Sequence, residues 1–336
     1  MNLRERQERF EIENLSPLAC KSAYTKGRKK PAEKCDMRTE FQKDRDRITH
    51  SKAFRRLMHK TQVFISPEGD HYRTRLTHTL EVTQIARTVA RGIGLNEDLT
   101  EAIALGHDLG HTPFGHTGED ALDALMPGGF RHNEQSVRVV EFLENNGEGL
   151  NLTFEVVDGI FNHRTVGTPA TLEGKVVQIS DKIAYMNHDI DDALRAGVLR
   201  QAEIPSHILE VLGGDSRKRI DFLVRDLIFH SAEAENVSLT PHVAEVLYEL
   251  RTFLYARVYS NQLQMNERNK IALVLKQLFD YYLKNSRQIS KEISGASLKT
   301  HEGSCERAVC DYIAGMTDRF ALKKYAELFI PSAWQS

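Results

Sequence analysis

Along most of this chain, apolar residues recur every three or four positions, the spacing that places side chains on one face of an α-helix. In the stretch 75–93, for example, Val82, Ile85 and Val89 share a face with His78. Strand-like alternation is scarce, and turns rich in Gly and Pro separate the helical stretches. The pattern predicts an all-α protein with helices over residues 41–60, 75–93, 97–109, 114–126, 133–146, 152–163, 173–195, 216–233, 240–260, 264–285 and 303–328.

Length and composition agree with an ordinary globular protein. The chain has 336 residues, 40% of them hydrophobic, and a chain of this size buries about three quarters of its unfolded surface. No stretch approaches the roughly 18 apolar residues of a membrane span, and the charged start lacks a signal peptide's apolar region. We therefore expect a cytoplasmic protein with no membrane partner. The cysteines lack C-x-x-C pairing and disulfide density, so we expect free thiols at Cys20, Cys35, Cys305 and Cys310.

The positive charges are unevenly distributed. The whole chain has a formal net charge of -2, yet residues 21–60 contain 14 Lys and Arg against 5 Asp and Glu. This segment either binds a polyanion such as single-stranded nucleic acid or is a solvated, partly flexible stretch around Lys26–Pro31. No recognised nucleic-acid motif supports the first alternative.

The pair His107-Asp108, within the run GHDLGHTPFGH, indicates a metal site. Adjacent imidazole and carboxylate groups can bind one divalent cation, but two ligands do not hold a catalytic cation. His78 and Asp181, on separate predicted helices, supply the missing donors. This donor set favours Mn²⁺ or Mg²⁺, tolerates Fe²⁺ and suits Zn²⁺ less well.

A second polar surface follows Asp181 along the predicted helix 173–195. Asp181, Tyr185, Asp189 and Asp192 fall on one face of that helix. Such a face is too polar for an ordinary hydrophobic core, so we interpret it as part of a functional site.

The order of His, His-Asp and a distant Asp resembles the HD-domain metal-dependent phosphohydrolases. The flanking residues resemble one branch of them, the dGTPase-like deoxynucleoside triphosphate triphosphohydrolases. The resemblance spans about residues 40–200 and rests on ordered blocks. The blocks are Ser51-Lys-Ala-Phe-Arg-Arg-Leu with Lys60-Thr-Gln-Val, Arg75-x-x-His78, the run His107 to His116 with Gly-Glu119, His132-Asn-Glu-Gln-Ser, and Asp181-Lys-x-x-Tyr185.

The resemblance implies an HD-domain helical bundle that hydrolyses dGTP or several deoxynucleoside triphosphates to deoxynucleoside and tripolyphosphate. Residue chemistry alone leaves cleavage between the α and β phosphates open. The metal ligands would be His78, His107, Asp108 and Asp181, acting on water and an α-phosphate oxygen. Homo-oligomers are common in the family, and we expect one here.

The same resemblance implies the substrate contacts. His111, His132 and Lys182 are expected at the phosphates. Arg55 and Arg56 lie in a matched block, and their guanidinium groups suit the phosphate oxygens that the metal leaves uncovered. At the sugar, including its 3′ hydroxyl, the expected residues are Gln62, Tyr185 and Asp189.

His116 is the candidate for proton transfer at the reacting phosphate, with His111 close by in the sequence. Thr112-Pro113 has the pattern of an N-cap and first helical residue, which places Glu119 within reach of His116. A helix N-terminus disfavours the imidazolium and the Glu119 carboxylate favours it, so both acid and base remain open. We favour the general acid.

We divide the chain into three consecutive parts. These are a basic, partly flexible N-terminal segment over 1–40, an HD catalytic core over 41–200 and a helical C-terminal portion over 201–336 packed on that core. The sequence leaves the role of the C-terminal portion open. It also leaves open whether residues 69–72 form a loop or a hairpin.

Other functions fit the same metal ligands. An HD-type 5′-nucleotidase or a cyclic dinucleotide phosphodiesterase would use them too, although the sequence contains no Gly-Tyr-Pro tripeptide, which argues against the latter. A nucleotide sensor or single-stranded DNA binding protein without enzymatic activity is the alternative from another class. The presence of both His116 and Glu119 argues against that alternative.

Overall fold

The computed structural model of the chain describes residues 1–62, 73–232, 234–259, 262–285 and 304–331. Within these ranges the regular structure is helical, and the β-type pairings are the isolated bridges Arg28–Thr153 and Thr61–Thr74. The all-α prediction is confirmed. In the described part, no helix is long and apolar enough to cross a membrane. The stretch 69–72 lies outside the described residues.

We number the α-helices of these ranges in chain order. They are α1 (Leu3–Asn14), α2 (Glu40–Thr49), α3 (Lys52–Arg56), α4 (Arg75–Gly92), α5 (Glu97–Gly106), α6 (Gly115–Leu125), α7 (His132–Arg138), α8 (Phe154–Asn162), α9 (Leu172–Arg195), α10 (Ser206–Leu212), α11 (Ser216–Ser231), α12 (Pro241–Leu254), α13 (Gln262–Lys284), α14 (Cys305–Ala314) and α15 (Asp318–Phe329). Helices α7 and α12 continue into short π-helices, Val139–Leu143 and Tyr255–Tyr259. Each predicted helical stretch contains a helix, whereas α1 and α10 were not predicted.

Two stretches predicted as single helices are interrupted by capping residues. The stretch 41–60 breaks at Ser51, whose hydroxyl accepts a hydrogen bond from the Phe54 N–H at 3.1 Å and so begins α3. The stretch 303–328 breaks at Thr317, whose hydroxyl accepts from the Phe320 N–H at 3.3 Å and begins α15. Helical periodicity alone does not reveal these breaks.

The predicted N-cap at Thr112 is wrong. Helix α6 begins at Gly115, after Phe114 in the left-handed conformation with φ 62°. That conformation costs about 1–2 kcal/mol for a residue other than glycine, and the buried Phe114 ring helps to hold it. The Thr112 hydroxyl instead donates to the Gly115 carbonyl at 2.9 Å. His116, the second residue of α6, keeps its predicted place in the first turn.

The chain divides into two compact units, and the first comprises Met1–Thr49, Thr77–His107 and Asn151–Gln264. Its centre is α5, which is apolar on most sides and packs against α2, α8 and α9. Helix α9 also contacts α11 and α12. The predicted stripe on α4 is buried, with Val82 fully covered and His78 only 1% exposed.

The second unit comprises His50–Leu76, Asp108–Leu150 and Met265–Ser336. One apolar cluster joins α6 to the C-terminal helices α13, α14 and α15. Its largest members are Phe114, Leu122, Met126, Phe130, Leu275, Leu278, Phe279, Tyr282, Val309 and Ile313. Helix α6, which carries His116, therefore shares its core with the C-terminal helices. The units interleave along the sequence, and the three-part division given above stays a prediction.

Several arginines of the basic segment form ion pairs within the first unit. The buried Arg28 guanidinium binds Glu40 at 2.6 Å and also binds Asp44. Arg45 binds Asp98 at 3.2 Å. These pairs neutralise part of the local positive charge. The four cysteines are free thiols, as predicted.

Glu173, the second residue of α9, is a buried carboxylate that ties three segments of the first unit together. Its Oε1 accepts the N–H of Cys20 at 2.9 Å and the N–H of Asn96 at 3.0 Å, and the residue has no exposed surface. Burial raises the pKa of Glu173 from 4.5 to about 7, although these hydrogen bonds oppose the shift. Helix α9 is therefore fixed by a group that titrates near neutrality.

We predict that Glu173→Gln weakens the pH dependence of stability. The raised pKa of Glu173 means that its stabilising contribution is complete below pH 4.5 and is lost as pH rises through about 7. The loss reaches about 3 kcal/mol in the free energy of unfolding. Urea titrations at pH 5 and pH 8 measure it. Glu155→Gln is the control, since Glu155 is also a buried carboxylate and accepts the Lys26 N–H at 2.7 Å. Equal pH dependence in Glu173→Gln and wild type would contradict this account.

Candidate functional site

Three predicted metal ligands meet in the first unit. The Nε2 atom of His78, on α4, lies 3.1 Å from Oδ1 of Asp181, on α9. The Nε2 atom of His107, directly after α5, lies 3.9 Å from the same oxygen. Both imidazoles are only 1% exposed. Side chains from three separate helical segments thus bring two imidazole nitrogens close to one carboxylate oxygen. The sequence analysis proposed these three residues for one site.

A backbone carbonyl orients the His107 ring for metal binding. Its Nδ1 lies 2.6 Å from the Ala104 carbonyl and donates to it, which leaves Nε2 as the ring nitrogen that faces Asp181. Ligand atoms on a cation with bonds of ~2.0–2.2 Å stand roughly 3–4 Å apart, which the two distances to Asp181 match. Two imidazole nitrogens and a carboxylate oxygen therefore fit a divalent cation.

Asp108 follows His107 in the chain and begins the part of the second unit that carries the other histidines. Its Oδ2 accepts from Nη1 of the buried Arg75 at 2.7 Å. The Nε and Nη2 atoms of Arg75 are also buried and have no hydrogen-bond partner among the described residues. A guanidinium with unused buried donors favours an anion as an additional partner.

Two histidines that follow Asp108 in the sequence form a stacked pair. The rings of His111 and His132 are stacked with centroids 4.2 Å apart. Gly110 permits this approach, because a Cβ atom there would lie 2.1 Å from the Ser136 N atom of α7. Burial, followed by the nearby Arg75 charge, holds the pKa of His111 well below its ordinary value, so this imidazole is neutral.

Glu119, on α6, holds two histidines at once. Its Oε2 lies 3.3 Å from His116 Nδ1 and 2.8 Å from His132 Nδ1, and its Oε1 accepts the His132 backbone N–H at 3.0 Å. Burial raises the pKa of Glu119, but the hydrogen bonds to the two histidines lower it more, so the carboxyl stays ionised. The predicted contact between His116 and Glu119 is present. The tighter contact with His132 was not predicted.

The polar face of α9 belongs to the first unit. Asp189 and Asp192 are buried there, and the Tyr259 hydroxyl donates to the Asp189 carboxylate. Burial and the Asp181 charge raise the pKa of Tyr185, so its hydroxyl is a neutral donor. Burial and nearby Lys175 lower the pKa of Lys182, which is half-buried.

Other predicted phosphate and sugar contacts lie in the second unit. Arg55 is exposed and donates to the His50 carbonyl at 3.0 Å. Arg56 is half-buried and donates to the Gly315 carbonyl at 2.7 Å. Gln62 is buried, and its Oε1 has no hydrogen-bond partner among the described residues.

Sequence reasoning gave too little weight to three buried side chains. The His188 ring lies 5.8 Å from that of His78, and its Nε2 lies 3.0 Å from Glu81. The His163 ring lies 5.2 Å from that of His107. Arg75 was noted only as part of a motif. Helical spacing offered a signal for His188, which lies seven residues after Asp181 on the same helix.

Comparison with protein families gives two matches. Residues 75–186 match the HD domain, and residues 237–327 match the phosphohydrolase-associated domain. The first match contains each of the four predicted metal ligands. The second covers much of the C-terminal portion.

Whole-chain relatives agree with these matches. A deoxyguanosinetriphosphate triphosphohydrolase-like protein of Caldanaerobacter subterraneus is 60% identical, over 99% of this chain and 98% of that protein. One from Desulfatibacillum aliphaticivorans is 51% identical, over 99% of both. Among solved structures, a hypothetical protein from Aquifex aeolicus matches with a TM-score of 0.48 and 20% identity, over 86% of this chain and 68% of that one.

We predict that Asp181→Ala and His107→Ala each lose the bound divalent cation, because each removes a donor that the others cannot replace. Elemental analysis of protein loaded with Mn²⁺ and freed of excess metal measures this. His207→Ala is the control, since this exposed histidine is outside the proposed ligand set and its Nε2 lies 2.8 Å from Oε2 of Glu249. Unchanged metal content in both site variants would show that the cation binds elsewhere.

Proposed function

Because the chain belongs to the deoxyguanosinetriphosphate triphosphohydrolase-like proteins of the HD family, we propose that it hydrolyses deoxynucleoside triphosphates to deoxynucleoside and tripolyphosphate. Family membership makes the chain a phosphohydrolase. The observation that carries the finer proposal is the buried convergence of His78, His107 and Asp181, with the ionised Glu119 and its two histidines in the same HD segment. The three side chains that meet at Asp181 suit a metal ion. Glu119 and its two histidines suit proton transfer.

The proposed ligands are His78, His107, Asp108 and Asp181, with Mn²⁺ or Mg²⁺ as the cation. Asp108 is included because it is the Asp of the His-Asp pair that the HD-domain resemblance implies as a ligand. A bound divalent cation would make water more acidic and withdraw charge from the phosphorus atom. The Ala104 carbonyl keeps the His107 ring in the tautomer that can bind it.

The proposed phosphate contacts are cations and imidazoles near Asp108 and on α9. Arg75 joins the set predicted from sequence, because its unused buried donors suit phosphate oxygens. The neutral His111 donates or accepts a hydrogen bond without adding charge. The other members are Arg55, Arg56, His132 and Lys182.

The proposed proton donor is His116. Its Nδ1 lies 3.3 Å from Oε2 of the ionised Glu119, which orients the ring, and its side chain is 70% exposed and so accessible to substrate. Nε2 would give its proton to the departing 5′ oxygen of the sugar as the α-phosphorus is attacked by water. Glu119 keeps both His116 and His132 in place for this step.

The proposed sugar contacts are Gln62, Tyr185 and Asp189. The neutral Tyr185 hydroxyl and the Asp189 carboxylate supply a donor and an acceptor on one face of α9. The cytoplasmic location and the homo-oligomer expected from the sequence stay predictions.

Product analysis tests the proposed reaction. Metal-loaded protein is incubated with each nucleoside triphosphate, and tripolyphosphate, pyrophosphate and orthophosphate are resolved. Tripolyphosphate with free deoxynucleoside supports the proposal. Pyrophosphate, or hydrolysis of monophosphates alone, would replace it with another HD phosphohydrolase reaction. Binding without hydrolysis would favour a nucleotide sensor.

We predict that deoxynucleotides react much faster than ribonucleotides, because a closed sugar site rejects an added 2′ hydroxyl by steric clash. Values of kcat/KM for dGTP against GTP, and for the other three pairs, measure this. Equal values within every pair would remove sugar selection from the proposal and leave the phosphohydrolase activity standing.

We predict that His116→Ala retains metal and nucleotide affinity but loses about 10²- to 10⁴-fold in turnover, the usual contribution of general acid–base catalysis. Single-turnover hydrolysis measures this, with metal content and affinity determined on the same preparations. His59→Ala, at an exposed histidine of the same unit, is the control. Unaltered turnover would remove His116 from the chemistry, and loss of metal would make it a ligand.

Glu119→Gln removes the negative charge beside the His116 imidazolium. We expect a smaller loss of turnover than in His116→Ala, because the glutamine keeps an oxygen that can accept from His116 and His132. Single-turnover hydrolysis measures the change. A loss as large as that of His116→Ala would show that the negative charge, and not the position of the two rings, is what turnover requires.

A further inference from the structure

The backbone between His111 and His116 is held by residues that lie far from it in the sequence. The Oδ1 atom of Asp318, the first residue of α15, accepts the Phe114 N–H at 2.9 Å. Asp318 is only 5% exposed. It therefore binds the backbone of Phe114, the non-glycine residue of this loop in the left-handed conformation.

Asp318 also binds a second segment. Its Oδ2 accepts the Thr61 N–H at 3.0 Å and a hydrogen bond from the Thr61 hydroxyl. The residue next to Thr61 is Gln62, the proposed sugar contact. One buried carboxylate thus connects the histidine loop and the segment of Gln62 to the start of α15.

Lys60 also connects the histidine loop to the C-terminal helices. This lysine is 3% exposed, and its Nζ donates to the His111 carbonyl and, at 2.9 Å, to the Ala314 carbonyl at the end of α14. Burial lowers the pKa of Lys60 to about 7, and the amine can donate these hydrogen bonds in either protonation state. The Lys60 carbonyl accepts the N–H of Arg75 at 3.0 Å.

Both connections end on the short segment between α14 and α15, which lies within the match to the phosphohydrolase-associated domain at residues 237–327. The same helices pack their apolar side chains against α6, which follows the loop. The polar contacts fix the loop backbone at its two ends, His111 and Phe114, while the apolar core fixes the helix after it.

We propose that Asp318, assisted by Lys60, is a positioning residue for the histidine loop, so that the Ala314 carbonyl and the Asp318 carboxylate set the geometry of His111 and His116 without touching substrate. The proposal rests on the proposed function of these two histidines. It gives the C-terminal portion a role in turnover. Among the described residues, Asp318 is the acceptor of the Phe114 N–H, so loss of the carboxylate would leave this left-handed residue without its backbone hydrogen bond.

The expected effect follows from the chemistry of positioning. Displacing a catalytic group by about 1 Å can reduce turnover by about 10²-fold. Asp318→Ala leaves the buried N–H groups of Thr61 and Phe114 without their acceptor, so we expect kcat to fall about 10- to 100-fold with metal content unchanged. Asp318→Asn keeps one acceptor oxygen and should give a smaller decrease.

The matched control is Thr317→Ala. Thr317 caps the same helix, α15, through the Phe320 N–H, so its loss weakens the start of α15 by a similar mechanism. Its hydroxyl bonds to the Phe320 N–H and not to Phe114 or Thr61. A purely structural role for Asp318 predicts the same kcat for both variants once each is corrected for its folded fraction.

The experiment measures kcat, KM and metal content for the three variants in the full-length protein, together with hydrogen exchange of the peptide containing Phe114. We expect faster exchange there and lower kcat in Asp318→Ala than in Thr317→Ala. Equal exchange, or equal kcat, in the two variants would overturn the proposal. If Asp318→Ala does not fold, Asp318→Asn is compared in the same way.

Failure of the proposed function gives a different result. Wild-type protein would then release no tripolyphosphate from any deoxynucleoside triphosphate, whatever the variants do. Exchange at Phe114 still decides whether Asp318 fixes the loop. Unchanged exchange in that case overturns the positioning proposal as well.

Discussion

The site depends on one carboxylate, Asp181, held against two buried imidazoles. Polar groups of this kind are costly to bury unless each has a partner. Here the partners are one another and the backbone, since the Ala104 carbonyl fixes the His107 ring and Asp181 lies within 4 Å of Nε2 of His107 and of His78. The packing of the apolar helix α5 against α9 in the first unit brings these side chains together.

The sequence predicted the all-α class and most of the helices, and it proposed the three side chains that meet at Asp181. Helical periodicity placed α4 and α9 nearly to the residue, and His78 on the buried stripe of α4. The breaks at Ser51 and Thr317 were missed because a single capping hydroxyl decides them, against an otherwise continuous helical pattern. The wrong cap at Thr112 has a related cause. The left-handed Phe114 depends on Asp318, about 200 residues away in the sequence, and local patterns do not contain that contact.

The second group of candidate site residues was only partly predictable. The spacing of His116 and Glu119 on one helix revealed their contact, but the stronger contact of Glu119 with His132 joins two helices and depends on tertiary packing. Gly110 makes that packing possible, because any side chain there would collide with α7. Lys60 and Arg75 looked like motif members without a role until their buried partners were known.

Locating the phosphorus atom that water attacks is the most direct test of the proposed triphosphohydrolase reaction. Metal-loaded protein is allowed to hydrolyse a deoxynucleoside triphosphate in ¹⁸O-labelled water, and the products are measured by mass spectrometry. Attack at the α-phosphorus with loss of the 5′ oxygen predicts one ¹⁸O atom in tripolyphosphate and none in the deoxynucleoside. Label in a deoxynucleoside monophosphate or in pyrophosphate would contradict the account, because the bond broken would then lie between phosphates.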